Sequence, residues 1–83
     1  MRNHPPKNNN IGEIRSLTRC FYGEFTTLSD FIYYSIILEK DYHEISDFFD
    51  RSATTEIECL KDIGAAILYL GGEPRVKIMH TDR

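Results

Sequence analysis

Apolar residues recur along the first half of the chain with alternating spacings of three and four. From about Gly12 to Lys40 the series runs Ile14, Leu17, Phe21, Leu28, Phe31 and Leu38, and Glu24 and Ser35 fill its two remaining places. This is the period of a helix with one apolar stripe. A strand would alternate and would be far shorter. The segment holds no proline, and Gly23 is its internal glycine. A second helix is predicted over about 42–70, with a seam of Ile45, Phe49, Ser52, Glu56, Cys59, Ile63, Ala66 and Leu70. Lys40-Asp41-Tyr42 between them reads as a turn. Asp41, followed three residues later by Glu44, predicts an N-cap with a capping-box partner. Gly71-Gly72 is a C-terminal stop, and Pro74 blocks continuation.

A link this short forces the two helices to lie antiparallel. The fold class is therefore all-α: a helical hairpin over residues 12–72. It is preceded by a polar leader (1–11) expected to be disordered and followed by a polar tail (73–83). Each helix is apolar over more than one stripe. Phe25, Ile32, Ile36 and Ile37 lie outside the first seam, and Phe48, Ile57, Leu60, Ile67 and Leu68 outside the second. One partner helix cannot cover so wide a surface. Homodimerisation into a four-helix bundle is the simplest closure, with a higher homo-oligomer as its extension. The other closure is that these residues form one helix pair of a longer protein.

Composition narrows the partners. The 83 residues carry 13 carboxylates against 10 Lys and Arg, a formal net charge of -3. Nucleic-acid binding needs a clustered basic face, so no nucleic-acid partner is expected. No apolar run is long enough to span a bilayer, so no membrane partner is expected either. Met1–Asn10 has no apolar core of a signal peptide, which leaves the cytoplasm as the expected compartment. Two cysteines, Cys20 and Cys59, do not make a disulfide framework. Helix axes about 8–10 Å apart rarely bring two Cα atoms within disulfide range.

The chemistry rests on the two interruptions of the seams by carboxylates. Glu24 lies about 17 residues before the turn and Glu56 about 15 after it, or roughly 25 Å and 23 Å along the helices. The two therefore stand at nearly one height. Buried carboxylates at one level repel unless paired with a cation. Arg19 and Arg51 are candidate partners within the chain. Two pairs around a two-fold axis would form an oxygen-rich pocket suited to iron or manganese. None of His4, His43 and His80 falls near this level. No phosphate loop, Ser/His/Asp set or Cys-x-x-Cys is present.

The stretch Gly23-Glu24-Phe25-Thr26-Thr27-Leu28, running into Tyr33-Tyr34-Ser35, resembles the first helix of bacterial ferritin-like (di-iron carboxylate, rubrerythrin-like) proteins. Glu56 to Leu60, with Ile63 and the closing Leu70-Gly71-Gly72-Glu73-Pro74, resembles their second. The likeness covers roughly Glu13 to Pro74, the first helix pair of that fold. It implies a half-site for iron or another divalent metal, and with it oxidase or storage activity. Glu24 matches the lone glutamate of the family's first helix. Glu56 opens the position of its Glu-x-x-His, and Cys59 stands where the histidine would be. A thiolate at Cys59 favours softer metals. The competing readings are a small core thiol at that position and a metal-free helical interaction module that has kept the bundle alone.

Overall fold

The computed structural model describes residues 7–76 as two antiparallel helices, α1 (Lys7–Ile37) and α2 (His43–Tyr69), with no strand among the described residues. The Cα atoms span only 13 Å in the thinnest direction, so the hairpin is a single layer.

Helix α1 packs with the seam its sequence predicts. Leu28 is buried, and Ile14, Leu17, Phe21, Glu24, Phe31, Ser35 and Leu38 are each partly buried. Its start differs from expectation. The helix takes in Lys7 to Ile11, which the polar composition assigns to the leader. Asn10 is the reason: it is buried, and its Nδ2 donates to the Leu70 carbonyl at 3.4 Å. An amide that tops the end of the neighbouring helix gains more inside the helix than in a loose leader. The remainder of the leader, residues 1–6, lies outside the described residues, as does the tail beyond Val76.

Helix α2 is turned from its predicted orientation. Its buried residues are Ser46, Ala53, Leu60, Gly64 and Ile67. Leu60 and Ile67, expected outside the seam, form its centre, while Ile45 and Cys59, expected inside, are exposed. Phe49, Glu56, Ile63 and Leu70 stay partly buried at the edge. The cause is steric. Ser46, Ala53 and Gly64 have short side chains that let the two backbones approach, and Leu28, Ala53 and Leu60 form the core with Phe21 and Phe31 around them. A Cβ on Gly64 would already stand 3.4 Å from both Phe21 and Pro74.

The ends are closed unequally. Helix α2 begins after Tyr42, which makes no side-chain cap; Asp41 is not the N-cap, and Glu44 lies in the first turn without a capping box. Ser46 serves the junction instead. Its Oγ donates to the Ser35 carbonyl at 2.6 Å, satisfying one of the orphan acceptors at the end of α1. The other end of α2 closes in a Schellman motif. Gly72 N–H donates to Ile67 O (2.9 Å), Gly71 N–H donates to Leu68 O (3.0 Å), and Gly71 takes φ +97°. The chain then folds back so that Pro74 lies beside Gly64.

Candidate functional site

The register of the hairpin sets the height of the two glutamates. Phe31 meets Phe49 at a centroid distance of 5.9 Å. Two turns back along α1 from Phe31 lies Glu24, and two turns on along α2 from Phe49 lies Glu56. The two carboxylates therefore share one level, close to the middle of both helices. Each is partly buried.

Counting about 100° per residue from Leu28 and Leu60, which both point into the buried core, places both glutamates on the same side of the layer. The same count puts Tyr34, Phe31, Phe49 and Phe48 on that side, and they form a continuous aromatic cluster near the turn. Tyr34 and Phe49 meet at 5.3 Å with their rings tilted by 34°, and Phe48 meets Phe49 edge-on at 5.5 Å. Toward the open end the same side carries a shallow depression lined by Gly12, Glu13, Ser16, Leu17 and Leu70. The carboxylate face thus has a protruding half and a hollow half, with Glu24 and Glu56 between them.

One atom on this face stands out energetically. Glu56 Oε2 is shut off from solvent and has no hydrogen-bond partner. A carboxylate oxygen in that state costs free energy unless a proton, a cation or a donor reaches it. The expected ion-pair partners do not serve, since neither Arg19 nor Arg51 pairs with Glu24 or Glu56.

Cys59 and Cys20 are both exposed thiols on this side of the layer, and no disulfide joins them. Cys59 lies one turn from Glu56 and does not point between the helices as its predicted seam position requires. Among the described residues no three of His, Cys, Asp and Glu are close enough to hold a metal ion within one chain. His43 lies at the turn, 3.4 Å from Glu39 and 3.5 Å from Asp47; His4 and His80 fall outside the described residues. Among the described residues no helix is long and apolar enough to cross a membrane. Sequence reading found both glutamates from their place in the seam. It missed the depression and the unpartnered oxygen, which depend on where the backbones and side chains come to rest.

The chain matches no family model, no curated protein and no solved structure.

Proposed function

We propose that two copies of this chain pair through the carboxylate face into a four-helix, ferritin-like bundle, and that Glu24 and Glu56 of both copies hold a divalent metal, iron first among the candidates. The single observation that carries this reading is the buried, unpartnered Oε2 of Glu56. A second copy and a cation would supply what that oxygen lacks.

The shape of the face supports an antiparallel pairing. The aromatic cluster and the depression lie about equally far from the glutamates, on opposite sides of them. A two-fold axis at the glutamate level would seat the aromatic half of each copy over the hollow half of the other. It would also part the two turn regions, where Asp30, Glu39, Asp41, Glu44, Asp47 and Asp50 outnumber Lys40 and Arg51. The axis would gather four carboxylates, a hard oxygen donor set suited to iron or manganese. Bound there, iron would supply one-electron chemistry toward oxygen species. The chain's own residues would hold it, surround it with apolar side chains and exclude bulk water. Cys59, one turn away, would be covered by the pairing and add a thiol beside the carboxylates.

A second reading is a metal-free dimerisation module, favoured by the absence of any group of three potential ligands within one chain among the described residues. Metal analysis of the purified protein, together with its mass in solution, decides. The proposal expects a mass of at least twice the 9.7 kDa chain and stoichiometric metal that is lost in Glu56→Ala. An assembly free of metal after purification and reconstitution establishes the second reading. A monomer overturns both.

A further inference from the structure

The layer has a second apolar face, opposite the carboxylates, which pairing through the carboxylate face leaves uncovered. By the same count of about 100° per residue it carries Phe25, Ile32 and Ile36 of α1 and Ile57 and Leu68 of α2. They are 43, 45, 68, 42 and 65% exposed. Between the helices on this side runs an open groove lined by Phe21, Ile57, Lys61, Gly64 and Pro74, among others. We infer that this face binds the same face of another copy, so that each chain makes two self-interfaces on opposite sides and assembles beyond a dimer.

Two observations select a second copy as the occupant. The first is area. At roughly 180 Å² for a large residue, the five residues expose about 470 Å². A standard interface buries about 800 Å² per partner, a little over half of it apolar, and full coverage of these five residues supplies about that apolar share. The second is charge. Lys61 and Asp50 are exposed on this side of α2, and neither has an ion-pair partner. The point midway between them along the helix falls at Thr55–Glu56, the middle of α2 (His43–Tyr69). A two-fold axis crossing α2 there sets Lys61 of each copy against Asp50 of the other. The face is thus self-complementary, the requirement for an isologous contact. The same axis brings Phe25 and Ile57 near their own counterparts at the centre of the contact.

The test is sedimentation or light scattering of the full chain across a concentration series. The wild type is expected at about 39 kDa or more, four times the 9.7 kDa chain. Phe25→Glu on this face is expected to yield a dimer held by the carboxylate face, with helicity by circular dichroism unchanged. Asp50→Lys leaves the core untouched and is expected to weaken the higher assembly at least about tenfold. Asp50→Lys combined with Lys61→Asp should restore it to within about threefold. A wild type that stops at a dimer unaffected by Phe25→Glu, or a double swap no better than the single one, overturns the inference. Failure of the carboxylate-face proposal reads differently: Phe48→Glu then leaves the mass unchanged, while Phe25→Glu takes the protein to a monomer.

Discussion

Replacing Glu56 by leucine removes the one buried side-chain oxygen without a partner among the described residues. Leucine nearly keeps the volume, so no large cavity opens. The gain is the cost of the orphaned atom, about 1–3 kcal/mol. For a domain of this size each kcal/mol moves the melting temperature by about 4–8 °C. In the presence of a chelator, Glu56→Leu should therefore melt about 4–24 °C above the wild type. A saturating divalent metal should reverse the order. Ligand at about 1,000 times its Kd adds roughly 4.1 kcal/mol to the protein that binds it, more than the whole gain from leucine, and nothing to one lacking the ligand group. Calorimetry of both proteins at one concentration, with chelator and then with ferrous or manganous ion, measures all four values. A leucine variant that melts below the wild type under chelation would show that the carboxylate is already satisfied, and the reasoning from its isolation would fail.

Ser46→Ala strands the Ser35 carbonyl at the end of α1, and should cost about 1–2 kcal/mol in urea unfolding with an unchanged m-value. The two glycines of the open end should respond in opposite directions. Gly72→Ala drives a methyl to 2.8 Å from Ile67 and 3.0 Å from Ile14 and should destabilise by about 1–3 kcal/mol. Gly64→Ala places its methyl at 3.4 Å from two side chains, a close fit that keeps the helix-propensity gain of about 0.5–1 kcal/mol. Equal melting shifts for the two would contradict the packing at Gly72.

The two helices were not equally legible in the sequence. Helix α1 buries what its apolar period marks, because its seam is made of large residues that dominate any count. Helix α2 meets it through Ser46, Ala53 and Gly64, which carry little hydrophobic signal and act by letting the backbones approach. A reading that follows large side chains therefore chose the neighbouring stripe and drew Cys59 inward. Asn10 belongs to the helix through a contact with Leu70, sixty positions away, which no local pattern contains. At the candidate site the level of Glu24 and Glu56 followed from counting residues from the turn. The isolation of a single Glu56 oxygen follows from the packing around it, which the count cannot supply.

The layer is 13 Å thick, and among the described residues only Leu28, Ala53, Leu60 and Ile67 form its buried apolar core. One layer of two helices encloses only that short row; a larger interior needs a second layer. In the proposed pair, acquiring that larger core and meeting a partner are the same event. Its folding rate would then rise with concentration, and dilution alone would act as a denaturant.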